Sequence, residues 1–335
     1  MRGFLRGRKV RLGTAAFALF FVALNGVAYR QALSTTHFTP GGDRTKLPAA
    51  LSLAQKVGVL VDGVRLPRPL NNRTPLDEGM PFETWTIPVE EGVTLEAWRV
   101  LDPEPHGVVV MFHGYADRKS SILAEARAFR DEGWDPVLVD LRGSGGSSGN
   151  TTSIGFHEAR DEAAAVQFVR SAIPHAPLIV WGVSMGGAAA LRAVGVLGSP
   201  VDGLIVEAPF ATLRSAIVNR FRSLGLPSFG LVDLFVFWGG VQQGFNGFKH
   251  NPVDYAKGVV APTLLLLGDK DLRVLMPEGR AIYDALSGAK RFESFAGLGH
   301  ESLVRGNHAQ WTKVIHDFLS RWERPATAQE KGTAS

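Results

Sequence analysis

Apolar and polar positions divide the chain into three textures. Residues 12–29 are eighteen in succession without a charge, apolar on every side of a helix wheel. At about 1.5 Å per residue a helix of that length reaches roughly 27 Å, close to the hydrocarbon thickness of a bilayer. Residues 30–81 hold no sustained period. Pro40, Pro48, Pro67, Pro69, Pro75 and Pro81 punctuate them, Asn71-Asn72 reads as a turn, and only 49–61 suggests a short helix. They read as a connector that lies against the main domain.

From Phe82 the pattern becomes regular. Residues 82–89 and 93–100 are strand-like runs joined by Glu90-Glu91-Gly92, a hairpin. Apolar runs at 108–112, 135–141, 178–181, 203–206, 263–267 and 291–295 then alternate with helical stretches at 121–132, 158–172, 185–197, 278–286 and 301–322. Continuous apolar runs are strands buried on both faces. The expected fold is therefore α/β: a mostly parallel central sheet with helices on both faces and an N-terminal hairpin, over residues 82–322. Residues 210–257 are far longer than an ordinary connection and read as an inserted lid. Its Phe229, Leu231, Leu234, Phe235, Phe237 and Trp238 either form the lid's own small core or line an acyl or other apolar pocket. Residues 323–335 are a polar tail.

Charge sharpens the first texture. Residues 1–11 carry Arg2, Arg6, Arg8, Lys9 and Arg11 and no acid, so the total of +4 leaves −1 for the remaining chain. The pI of 9.4 is a property of the tail, and a nucleic-acid footprint is not expected. A basic flank before an apolar span places the N-terminus in the cytoplasm and the domain on the far side of a single-pass anchor. The competing reading is a cleaved signal peptide with apolar heart 15–24 and a cut near Gly26-Val27-Ala28, giving a secreted or periplasmic protein. Cysteine is absent, which excludes a thiolate nucleophile and any cysteine-held metal. No pair of histidines has metal-ligand spacing.

The pattern Gly-x-Ser-x-Gly occurs twice. Gly182-Val183-Ser184-Met185-Gly186 lies between a buried strand and the start of a helix, the context a nucleophile elbow requires. Gly145-Gly146-Ser147-Ser148-Gly149 has Gly-, Ser- and Thr-rich sequence around it and no helix leaving, so Ser147 is a loop serine. Downstream, the strand at 263–267 ends in Gly268-Asp269-Lys270-Asp271, two candidate acids at a sheet's C-terminal edge. After the strand at 291–295, the loop Gly297-Leu298-Gly299-His300 presents one histidine before a helix. His113-Gly114-Tyr115 comes after the strand at 108–112, where His113 orders the loop by hydrogen bonds rather than moving protons.

These motifs, with Gly268-x-x-Asp271-x-x-Val274 and the glycine-rich run from Asp140 to Gly149, resemble the α/β-hydrolase superfamily. More narrowly, they resemble membrane-anchored hydrolases with a serine-aminopeptidase-like or Bem46-like domain. In such families the acid stands three residues after the glycine, which favours Asp271 over Asp269, with Glu207 next in line. The oxyanion donors map to the backbone N–H groups of Met185 and Tyr115. The resemblance implies a Ser184–His300–Asp271 triad that cleaves a carboxylic ester through an acyl-enzyme, chemistry that needs neither metal nor cofactor. It leaves two alternatives, a peptidase or amidase and a catalytically inactive binding protein. Expected partners are a small-molecule or lipid-like acyl substrate and the membrane.

Overall fold

A computed structural model of the chain describes residues 2–46, 50–226, 228 and 230–323. Phe229 of the expected lid and nearly all of the expected polar tail, from residue 324, lie outside the described residues. The first element is a single long helix, α1 (Arg2–Thr36). It does not stop at Tyr29, where the uncharged run ends. The turns beyond are packed: Ala28, Ala32 and Thr36 are buried, whereas Phe17, Leu19, Phe20 and Val22 are exposed. Residues 30–36, read from sequence as the start of an irregular connector, are therefore helical because the domain covers them. The short helix of the connector, α2, spans Leu53–Asp62.

The hairpin β1 (Phe82–Pro88) and β2 (Thr94–Val100) is antiparallel. It joins a parallel set made of β3 (Val108–Phe112), β4 (Asp135–Val139), β5 (Leu178–Val183), β6 (Gly203–Glu207), β7 (Thr263–Gly268) and β8 (Lys290–Phe295). The order across the sheet is β1-β2-β4-β3-β5-β6-β7-β8, with β2 antiparallel to β4 and every later pairing parallel. Side-chain alternation splits the core in two. Val110, Phe112, Val180, Val206 and Leu265 face α4 (Glu158–Ala172) and α5 (Met185–Gly195). Met111, Leu138, Trp181, Ile205 and Leu266 face the other helical layer. Burial on both faces is why these strands read as unbroken apolar runs.

That second layer holds α3 (Leu123–Asp131) and the chain's last helices. The insertion contributes α6 (Leu213–Ser223), α7 (Leu231–Gln243) and the single turn α8 (Pro252–Tyr255). After β7 comes α9 (Met276–Ala285). The helix expected over 301–322 is two helices, α10 (Leu303–Gly306) and α11 (His308–Leu319). The break has a local cause. Asn307 leaves the helical conformation, and its Oδ1 accepts the Gln310 N–H at 3.2 Å, capping a new helix.

Candidate active site

The site lies at the C-terminal edge of the parallel strands, where loops after β3, β5, β7 and β8 converge. Ser184 stands between β5 and α5 with φ 52° and ψ −111°, a conformation that a non-glycine residue keeps only when its surroundings impose it. Its N–H donates to the Glu207 carbonyl at 2.8 Å. Close packing holds the turn: a Cβ on Gly186 would lie 2.5 Å from the Phe112 carbonyl oxygen. Only glycine lets α5 start so near β3.

The structure brings three of the sequence-predicted side chains together. His300 Nε2 lies 3.0 Å from Ser184 Oγ, and His300 Nδ1 lies 2.6 Å from Asp271 Oδ2. The other Asp271 oxygen accepts the N–H groups of Arg273 (2.7 Å) and Val274 (2.9 Å), which fix the carboxylate's direction. With Asp271 accepting at Nδ1, that nitrogen carries the proton and Nε2 is free to accept from the serine hydroxyl. Asp269 points elsewhere and accepts the Gly297 N–H at 2.7 Å. Tyr115 and Met185 stand just past β3 and Ser184, in the loops beside the serine. Among the described residues neither backbone N–H has an acceptor, so both donors are unclaimed.

The remaining candidates sit apart. His113 is fully buried; its Nε2 accepts the Leu141 N–H at 3.1 Å and its Nδ1–H donates to the Gly114 carbonyl at 2.8 Å. Both ring nitrogens are occupied in holding the loop. Ser147 is buried between the Asp140 carbonyl, to which its hydroxyl donates at 2.5 Å, and the Glu96 N–H, which it accepts at 2.9 Å. Glu207 lies under the elbow, where Trp181 and Trp311 donate their indole N–H groups to Oε1 at 2.9 and 2.7 Å. Burial, with the nearby Glu125 carboxyl, pushes its pKa up to about 7. Among the described residues no group of His, Asp and Glu could hold a metal ion.

Sequence reasoning missed a contribution from α1. The Tyr115 hydroxyl donates to the Thr35 carbonyl at 2.5 Å, so the end of the N-terminal helix braces the loop after β3. Thr36 also joins Ile154, Leu213, Phe235 and Phe245 around a small apolar pocket under the lid. Among the aromatics expected in the lid, Phe235 sits edge-on to Phe221 within the insertion and borders this small void. Trp238 instead packs edge-on against Tyr29 of α1, and Phe237 is exposed. Near Tyr115, the Arg220 guanidinium is held below its ordinary pKa by burial and then by Arg273 and Arg44. Among the described residues none of these three arginines has a carboxylate partner.

Strand-to-helix serine, histidine and carboxylate on successive loops of a mostly parallel sheet define the architecture as that of an α/β-hydrolase. The Pyrococcus furiosus esterase Pf2001 shares it, with a TM-score of 0.65 at 23% identity over 77% of this chain and 97% of that one. Residues 103–233 match the serine aminopeptidase family model. The Schizosaccharomyces pombe protein bem46 is 25% identical over 222 residues, 65% of this chain and 69% of its own. The lysophosphatidylserine lipase ABHD12 of Danio rerio is 26% identical over 232 residues, 64% of this chain but only 58% of its own length. The fold is that of an α/β-hydrolase, and part of the chain is similar to the serine aminopeptidase family model and to bem46.

Proposed function

We propose that the protein is a membrane-anchored serine hydrolase that cleaves a carboxylic ester of a lipid-like acyl chain. The observation that carries this reading is the continuous hydrogen-bonded line Ser184–His300–Asp271, at 3.0 and 2.6 Å. Ser184 Oγ attacks the ester carbonyl carbon while His300 Nε2 takes its proton, and Asp271 stabilises the resulting imidazolium. The N–H groups of Tyr115 and Met185 receive the oxyanion. His300 returns the proton to the departing alcohol, leaving an acyl-serine. A water molecule, deprotonated by the same histidine, then releases the acid and regenerates Ser184.

Relatives that bear the names esterase and lysophosphatidylserine lipase support a lipid-like ester. Arg44, Arg220 and Arg273, without acidic partners, favour an anionic headgroup. Helix α1 from Gly13 to Thr36 is long and apolar enough to cross a bilayer, by length and composition. Its basic flank argues for a cytoplasmic N-terminus and a catalytic domain on the opposite side.

Fluorophosphonate labelling tests the nucleophile. Ser184→Ala abolishes labelling and lowers ester turnover by about 10⁴-fold or more, whereas Ser147→Ala keeps both within a few-fold. Labelling that survives Ser184→Ala and disappears in Ser147→Ala overturns the assignment, and an unlabelled wild-type protein points to an inactive binding fold. p-Nitrophenyl esters of rising chain length, run beside aminoacyl-nitroanilides, separate esterase from the peptidase that the matching family model names.

A further inference from the structure

Helix α2 presents its apolar face to the outside. Leu53, Val57, Leu60 and Val61 are 79%, 54%, 53% and 59% exposed, and none of the helix's residues is buried. Their spacing, at i, i+4, i+7 and i+8, gathers them in one stripe along the helix. Ten residues with nothing buried make a marginal helix in water. Yet this one is finished at both ends. Ser52 and Gln55 form a capping box, with Gln55 N–H on Ser52 Oγ at 3.3 Å and Ser52 N–H on Gln55 Oε1 at 2.9 Å. At the other end the Gln31 amide of α1 donates to the Val59 and Leu60 carbonyls at 2.6 and 3.1 Å, and Ser34 Oγ accepts the Val64 N–H at 3.1 Å. A Cβ on Gly63 would stand 2.5 Å from Ser34.

The level at which α2 is pinned is informative. The uncharged run of α1 ends at Tyr29, Arg30 is charged, and Gln31 is the next residue. The lid meets α1 at the same level: Trp238 donates to Asn25 Oδ1 at 3.2 Å and packs edge-on against Tyr29, while Gln242 donates to the Tyr29 carbonyl at 2.9 Å. Trp and Tyr are the side chains that gather where hydrocarbon meets headgroups. Phe237 and Val241 of the lid are exposed there too.

We infer that α2 is an interfacial helix, lying in the headgroup–acyl boundary of the bilayer with Leu53, Val57, Leu60 and Val61 inserted. The inference rests on α1 being a retained membrane span. The occupant is a lipid surface because the stripe is pinned where the exposed apolar part of α1 ends. A spanning helix alone leaves the domain free to rotate about the helix axis. A second contact beside it fixes which face meets the lipid, and brings the exposed residues of the lid to that face. An acyl chain then passes between bilayer and lid without crossing bulk water.

The absence of cysteine makes the test direct. Single Val57→Cys, Leu60→Cys, Asp62→Cys and Val22→Cys variants of the full chain are labelled with an environment-sensitive NBD dye and reconstituted in phosphatidylcholine vesicles with or without brominated acyl chains. Val22 reports the span. Asp62, about 180° round the helix from Leu53 at about 100° per residue, reports the opposite side. The expected result is blue-shifted emission and loss of intensity in brominated lipid at positions 22, 57 and 60, with water-like, unquenched emission at 62. Quenching at 22 with water-like emission at 57 and 60 overturns the inference while leaving the anchor intact. Blue-shifted but unquenched emission at 57 and 60 means protein, such as a second copy, covers the stripe, and also overturns it. An unquenched probe at 22 removes the anchor, and the inference with it.

Discussion

Asp269 and Asp271 stand two residues apart after the same strand, and only the direction of each carboxylate separates them. Asp271 accepts two N–H groups of its own loop with one oxygen and meets His300 Nδ1 with the other. Asp269 ties its turn to the loop after β8 by accepting the Gly297 N–H. Asp271→Asn is expected to leave the fold intact and lower ester turnover by about 10⁴-fold, because the amide favours the wrong imidazole tautomer. Asp269→Asn should cost about 1 kcal/mol of stability and keep activity within tenfold. Turnover and melting temperature of both variants decide, and an inactive, well-folded Asp269→Asn reverses the roles. Arg220→Gln should raise KM for lysophospholipids with anionic headgroups and leave neutral p-nitrophenyl esters unaffected. An equal effect on both would remove the headgroup role.

At the scale of elements, Glu207 links three of them. Its carbonyl takes the Ser184 N–H, and its carboxyl receives Trp181 of β5 and Trp311 of α11. Burial and Glu125 raise its pKa to about 7 from an ordinary value of 4.5. The folded state therefore holds the proton more tightly than the unfolded state. Stability is unaffected by this group below pH 4.5 and falls as pH rises from 4.5 through about 7, by roughly 3 kcal/mol in all. Glu207→Gln keeps an oxygen for both indoles and has no charge to bury. Its melting temperature should exceed that of the wild type at pH 8 and approach it at pH 5. Equal melting temperatures at pH 8 would show that the carboxyl is solvated or already paired. The apolar run of β6 announces a buried strand, but nothing in it says that the glutamate closing the strand is buried as well. That depends on two tryptophans distant in sequence.

For the whole molecule, the question is how α1 relates to the domain. A cut near Ala28 would fall inside a continuous helix and detach Asn25, the acceptor of the Trp238 indole. Past that point, the last turn of α1 braces Tyr115 through Thr35 and pairs Thr36 with the Thr152 N–H. The full chain is expected to sediment with membranes and resist high-salt extraction, with its domain on the non-cytoplasmic side. N-terminal sequencing checks this, since a mature chain beginning at Tyr29 would establish a cleaved signal peptide.

Much of this arrangement is written locally. An apolar run without alternation must be buried on both faces, so the parallel strands and their order along the chain can be read from residues 108–112, 178–181 and 263–267 alone. The glycines around Ser184 single out that serine for the same reason, because a strand turning straight into a close-packed helix demands them. His300 is likewise marked by a glycine-rich loop after a strand. What the pattern does not carry is partnership. Residues 30–36 look like a linker because their hydropathy is mixed, and they are helical because the lid and the Tyr115 loop cover them. Asp269 and Asp271 are chemically alike, and the hydrogen bonds that aim each come from different loops. The connector helix shows its apolar stripe in sequence, but whether a stripe faces core, partner or lipid depends on what stands beside it. Hydrophobicity records that a surface must leave water; only the three-dimensional neighbours determine where it goes.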